Sequence, residues 1–302
     1  MEHGDAPRLV LTITRACNLR CGFCPLETGK MDMSSEVAAR ATALYRDRFA
    51  GRRQHVRFFG GEPLLRFGLL RDIVASFPEE VRFSFPTNGT LFAAETADFL
   101  RTHPQVEAAV SRVRDVRLLA SLDNVLISVC VPPQGAADLA PYVARLLKAG
   151  ISRLNFLPAF YVRWNAGETA ALRRSFGLTA GLIREWRSRG HAVEVRNAAV
   201  FNPVPLYNHG MVVDYNGDIY SSNAALGAGF KDLRGELRLG SVLKPKTVAW
   251  ERADSIDWPA LFRARLDDDV YQSTRRINDS LTDFVRELGD HRSRNAPAAV
   301  SV

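Results

Sequence analysis

Residues 8–24 read Arg8-Leu9-Val10-Leu11-Thr12-Ile13-Thr14, then Arg15-Ala16-Cys17-Asn18-Leu19-Arg20-Cys21-Gly22-Phe23-Cys24. The first seven residues are a short β-rich run, the pattern of a buried strand. The cysteines follow at once, so they sit on the loop leaving that strand. Cys17, Cys21 and Cys24 lie within eight residues, and Cys130 stands alone. A disulfide framework calls for an even set in a secreted chain. Spacings of four and three also pack the thiols too closely for cross-links between separate elements. Clustered thiolates point to a metal. A structural zinc site would need a fourth ligand, from Cys130 or a histidine, but no second C-x-x-C pair or H-x3-H follows. A cubane iron–sulfur cluster has four irons with normally one thiolate each. Three local thiolates would leave one iron without a protein ligand, an open position of the kind catalysis uses.

Outward from this loop the chain alternates strand and helix. Ser34 or Ser35 caps a helix expected to run to about Ala50, with Glu36 in its first turn. A strand over His55–Phe59 ends at Gly60-Gly61-Glu62-Pro63, and a helix from about Phe67 to Phe77 follows. A third strand, Val81–Phe85, ends at Pro86-Thr87-Asn88-Gly89-Thr90 and leads to a helix over Ala94–Arg101. Val106–Ser111, Asn124–Val131 and Arg153–Phe160 read as strands four to six. Helical faces fall at 112–123, 136–149 and 168–189. Such alternation implies parallel βα units, whose binding groups sit on the loops after the strand C-terminal ends. The cysteine, Gly-Gly-Glu and Thr-Asn-Gly loops all fall at that edge. The expected fold is α/β, a partial (β/α)6 TIM-like barrel over residues 8–190.

After Gly190 the pattern changes to a small α+β extension over 191–290. His191–Arg196 reads as an edge strand. Met211–Asp214 and Asp218–Ser221 flank Asn216-Gly217, a strong hairpin signal. Glu236–Leu243 is expected to add a strand, and 267–288 a final amphipathic helix. Residues 291–302 read as a disordered tail.

The chain has 302 residues, of which 46% are hydrophobic and 24% charged, so it is a folded protein rather than a disordered one. No stretch approaches the roughly 18 unbroken apolar residues of a membrane helix. The start, Met1-Glu2-His3-Gly4-Asp5, lacks the features of a secretory signal. The expected compartment is therefore the cytoplasm. The net charge is +7. The excess is spread along the chain and carried almost wholly by arginine, so a nucleic-acid footprint, which clusters on one face, is not expected.

Cys17 to Cys24 resembles the C-x3-C-x-aromatic-C signature of radical S-adenosylmethionine (SAM) enzymes. The resemblance implies one [4Fe–4S] cluster held by Cys17, Cys21 and Cys24, with SAM on the fourth iron. Reductive cleavage of SAM there yields a 5′-deoxyadenosyl radical that abstracts hydrogen from a substrate. It also implies an external electron donor of flavodoxin or ferredoxin type. Phe23 would lie beside adenine. Gly60, Gly61, Glu62 and Pro63 match the family's Gly-Gly-Glu-Pro loop, which receives the SAM ammonium. Thr87 and Asn88 match its Thr-Asn-Gly loop, and Ser111 and Ser128 stand where relatives contact the SAM carboxylate or ribose. Arg112 is a further candidate for the carboxylate, and the backbone of Leu157 and Pro158 for adenine. Tyr161, Arg163, Trp164, Asp214 and Tyr220 are candidate substrate contacts. Cys130 reads as a small buried hydrophobe.

Val213 to Ser222 is similar to the D-x-x-G-x-x-Y-x-C hairpin of SPASM or twitch extensions, with Leu239-Gly240-Ser241-Val242 similar to the segment after it. Ser222 replaces the expected cysteine, so auxiliary clusters on such ligands are excluded. SPASM-like relatives often modify ribosomal peptides, which favours a peptide substrate over a small molecule. The rival readings are a non-catalytic metal-binding or redox-sensing protein, and a degenerate member that binds a partner without chemistry.

Overall fold

The computed structural model describes residues 6–197, 205, 207 and 209–289. Its contacts group the chain into two compact units. The first comprises residues 1–109 and 207–258, and the second 110–206 and 259–302. This grouping cuts the chain differently from a division at residue 190. The expected tail at 291–302 lies outside the described residues.

The first unit opens with β1 (Arg8–Thr14), α1 (Ser35–Arg48), β2 (His55–Gly60), α2 (Phe67–Ala75), β3 (Arg82–Thr87), α3 (Ala94–Thr102) and β4 (Val106–Val110). β1 is buried along all but its first residue, as its apolar run requires of a central parallel strand. It pairs parallel with β2, and β2 with β3. The Ser34 hydroxyl accepts from Val37 N–H and starts α1. Between β2 and α2 a 3-10 turn, Pro63–Arg66, precedes the helix, and Glu62 caps it.

The second unit carries α4 (Val116–Ala120), β5 (Val125–Val131), α5 (Leu139–Lys148), β6 (Arg153–Pro158), α6 (Ala166–Ser188) and β7 (Glu194–Val195). The helix expected over 112–123 shrinks to five residues because Asp115 caps it late, accepting from Leu118 N–H. β5, β6 and β7 are parallel neighbours. The edge strand expected at 191–196 is thus real but only two residues long.

The chain then returns to the first unit with β8 (His209–Val213), β9 (Asp218–Ser222), α7 (Arg234–Leu237) and β10 (Gly240–Ser241). β8 and β9 form the expected antiparallel hairpin, with Val213 opposite Ile219. β8 also lies parallel to β1, with Val10 opposite Val212. The hairpin therefore extends the same sheet that carries the cysteine loop, in the order β10-β9-β8-β1-β2-β3-β4. The strand expected over 236–243 is corrected: one helical turn and a two-residue strand occupy it. The chain closes with α8 (Trp258–Arg265) and α9 (Asp268–Glu287), the latter capped by Asp267. In the second unit Phe284 of α9 packs against Phe156 of β6 and Phe176 of α6, with ring centroids 4.9 and 4.7 Å apart. The fold is α/β, with an open sheet and helices in alternation with parallel strands. No described helix is long and apolar enough to cross a membrane.

Candidate functional site

The loops after β1, β2 and β3 meet in the first unit, and the glycines explain how. Gly60 has φ 138°, in the region that favours glycine, and a Cβ there would lie 1.8 Å from Thr14 O. A Cβ on Gly61 would lie 2.1 Å from Ala16 O. Without side chains, the two loops approach closely enough to hydrogen-bond. Gly61 N–H donates to Thr14 O at 3.0 Å and Glu62 N–H to Ala16 O at 2.8 Å. The root of the cysteine loop is thereby fixed to the Gly-Gly-Glu loop.

Glu62 joins the third loop. Its side chain is fully buried. Oε1 accepts from Leu64 N–H at 3.0 Å and Thr87 O–H at 2.8 Å, and Oε2 from Asn88 N–H at 2.7 Å. A carboxylate offers about four lone-pair positions, so most of its capacity is spent inside the protein. Burial pushes its pKa up, against the bonds from Asn88, Leu64 and Thr87, which favour the anion.

Asn88 returns to the cysteine loop. Its Nδ2 donates to Asn18 Oδ1 at 2.8 Å and lies 3.9 Å from Cys17 Sγ. Asn18 Nδ2 donates to Thr90 Oγ1 at 2.8 Å. The circuit of three loops is closed by side chains from each.

All three loop cysteines are free thiols; Cys17 and Cys21 are half-buried, and Cys24 is exposed. Desolvation of the thiol itself raises the Cys24 pKa although the residue as a whole is exposed, and the nearby sulfurs of Cys21 and Cys17 raise it further. The three sulfurs are close enough to repel as thiolates, a repulsion that bound metal charge relieves. Among the described residues no three His, Cys, Asp or Glu side chains form a site for a metal ion. A cubane places each thiolate on a separate iron, so three soft donors on one short loop fit it by chemistry and spacing. Phe23, between the last two cysteines, is half-buried, and Pro63 is buried behind Glu62.

Ser111 and Ser128 belong to the second unit. Ser111 follows β4 half-buried, and Ser128 is buried in β5 opposite Asn155 of β6. Cys130 is half-buried rather than buried. Trp164 is a core residue whose Nε1–H donates to Ala159 O, and Arg163 pairs with Asp267 at the surface. Tyr161 holds φ 63°, its hydroxyl donating to Pro205 O at 2.6 Å.

Sequence reasoning missed a charged network beside the cysteine loop. Arg15 donates through Nε and NH2 to both oxygens of Asp214, at 3.1 and 2.5 Å, and through NH1 to Glu27 at 3.0 Å. The Arg15 and Asp214 side chains are only 3% and 4% exposed. Arg234 and Lys231 also pair with Glu27. Burial works against the Arg15 charge, but Asp214 and Glu27 outweigh it and its pKa rises. Glu27 is likewise pulled up by burial and down, more strongly, by Arg234, Lys231 and Arg15. Arg15, Glu27, Asp214 and Arg234 border a recess of about 340 Å³, which Tyr220 and Arg238 also line. Burial and the charges of Asp218 and Asp214 push the Tyr220 hydroxyl up to about 12. Asp214 and Tyr220 stood out in the sequence as candidate substrate contacts, but nothing there tied Asp214 to Arg15, which lies between a buried strand and the first cysteine.

Residues 11–114 match the family model described as Radical SAM superfamily. Among curated relatives, mycofactocin maturase MftC of Mycobacterium ulcerans is 31% identical over 205 residues, covering 64% of this chain and 52% of that one. GTP 3',8-cyclase of Syntrophomonas wolfei is 36% identical over 100 residues, 30% of this chain and 29% of that one. The chain thus spans about half or less of the curated relatives it matches. Among solved structures, native anSMEcpe with bound AdoMet and Kp18Cys peptide superposes with a TM-score of 0.62 at 14% identity. That match covers 94% of this chain and 98% of the other, a likeness of fold.

Proposed function

We propose that this protein is a radical SAM enzyme acting on a peptide. Cys17, Cys21 and Cys24 hold a [4Fe–4S] cluster through three irons, leaving the fourth to SAM. When bound, the reduced cluster supplies the electron that cleaves SAM to a 5′-deoxyadenosyl radical for hydrogen abstraction. The chain's own residues bind and orient. Gly60 and Gly61 bring backbone close to the cysteine loop, where carbonyls can accept from the SAM ammonium. Pro63 turns the chain away behind them. Glu62 sets the spacing between the Gly-Gly-Glu and Thr87-Asn88 loops, and the negative charge of its carboxylate favours the same ammonium. Phe23 offers a ring for adenine. The electron comes from an external donor of flavodoxin or ferredoxin type.

The observation that carries this reading is the closed circuit of bonds through Gly61, Glu62, Asn88 and Asn18, which gathers three loops of the expected residue types around the thiols. The kinship with a maturase over 205 residues and the fold shared with a peptide-bound structure support a peptide substrate. The match to GTP 3',8-cyclase covers 30% of this chain, against 64% for the maturase, and so favours a small-molecule substrate less. The 191–290 segment is the cysteine-free remnant of a SPASM or twitch extension. Ser222 Oγ accepts from Ala224 N–H at 3.2 Å and caps the next turn, a structural role in place of a metal ligand. The test is anaerobic reconstitution with iron and sulfide, then dithionite and SAM. The expected product is 5′-deoxyadenosine, abolished by Cys17→Ala, Cys21→Ala or Cys24→Ala. A reconstituted protein that leaves SAM intact under reduction refutes the proposal.

A further inference from the structure

The hairpin side of the first unit grips the cysteine loop at both stems. Before the cysteines, Arg15 is held by Asp214, the residue that follows β8 and opens the hairpin turn. After them, Ala228 N–H donates to Pro25 O at 2.9 Å, and Glu27 N–H to Leu226 O at 3.3 Å. Arg234, whose Nε donates to Ala225 O, pairs with Glu27. Arg15 NH1 then joins the two stems by bonding Glu27. The charges facing Arg15 and Glu27 are all supplied from within the network. The recess beside them is therefore walled by groups already paired, which argues against a charged ligand and for a structural purpose. A buried guanidinium with a two-oxygen partner fixes direction as well as distance.

We infer that Asp214 and Glu27 are positioning residues that clamp the stems of the cysteine loop, a task the hairpin performs here without cluster ligands of its own. This rests on the proposed cluster at Cys17, Cys21 and Cys24, and the experiment separates the two. In the full-length iron-free chain, hydrogen exchange across 16–28 is measured for wild type, Asp214→Asn, Glu27→Gln and the control Phe284→Ala, which weakens the second unit's core. In the iron-loaded chain, the rate of iron loss to a chelator is measured for the same set. Both clamp variants should raise exchange and iron loss by at least about tenfold, the size expected when a buried charged hydrogen bond is lost. The control should leave both rates near wild type even where it lowers the melting temperature. If Asp214→Asn does not fold, Glu27→Gln, at a partly exposed site, carries the test. Clamp variants indistinguishable from the control overturn the inference. A wild type that takes up no iron refutes the proposed function instead, while the exchange data still judge the clamp.

Discussion

Gly61→Ala places a methyl carbon 2.1 Å from Ala16 O and 2.5 Å from Ala16 C, where contacts under 3.0 Å are not tolerated. The obstacle is backbone, which cannot rotate away as a side chain can. The two loops must part by about 1 Å, well beyond what a packed interior absorbs without cost. That movement stretches the 3.0 Å bond from Gly61 N–H to Thr14 O and the 2.8 Å bond from Glu62 N–H to Ala16 O. Each is worth about 0.5–1.5 kcal/mol, and overpacking adds about 1–3 kcal/mol. The expected loss is about 2–6 kcal/mol in equilibrium urea unfolding, read as a fall in midpoint. Gly68→Ala is the internal control: its added carbon meets no heavy atom within 4 Å. It should be neutral or more stable by about 0.5–1 kcal/mol. If Gly61→Ala unfolds at the wild-type midpoint, the loops do not approach as described, and the reasoning about the site fails with them.

Glu62→Gln should cost about 1–3 kcal/mol, because the amide keeps one acceptor oxygen and its NH2 cannot accept what the other oxygen took, either Asn88 N–H or the pair Leu64 N–H and Thr87 O–H; thermal melts read it. Burial holds the Glu62 carboxyl above its ordinary 4.5. The folded chain then binds that proton more tightly than the unfolded one, so Glu62 stabilises below pH 4.5 and loses this as pH rises through its folded pKa. Glu62→Gln should remove that downward slope from a stability–pH series. Glu27 is held below 4.5, so its contribution is present above that pH and lost on acidification, and Glu27→Gln should be less acid-sensitive than wild type. Phe284→Ala should cost about 3–5 kcal/mol by removing a buried ring stacked on Phe176 and edge-on to Phe156, measured by the same melts.

The parts of the fold that local chemistry controls were readable from the sequence. β1 runs over the seven residues its pattern marks, Ser34 caps a helix, and Asn216-Gly217 turns a hairpin. The parts set by distant partners were not. Residues 236–243 alternate like a strand, yet Arg234 anchors a helical turn there through Ala225 O and Leu226 O. The site shows the same division. The cysteines, Gly60, Gly61, Thr87 and Asn88 declared themselves by residue type and order along the chain. Glu62 was expected to face a ligand, and the structure gives most of its carboxylate to neighbouring loops. Arg15 and Asp214 are separated by 199 positions, and no periodicity or spacing connects residues so far apart.

The most direct test of the account is Mössbauer spectroscopy of the reconstituted protein with and without SAM. A [4Fe–4S] cluster on Cys17, Cys21 and Cys24 predicts one iron whose signal shifts when SAM binds, while three stay as they were. Four irons that all ignore SAM, or a mononuclear metal with a complete set of protein ligands, would contradict it.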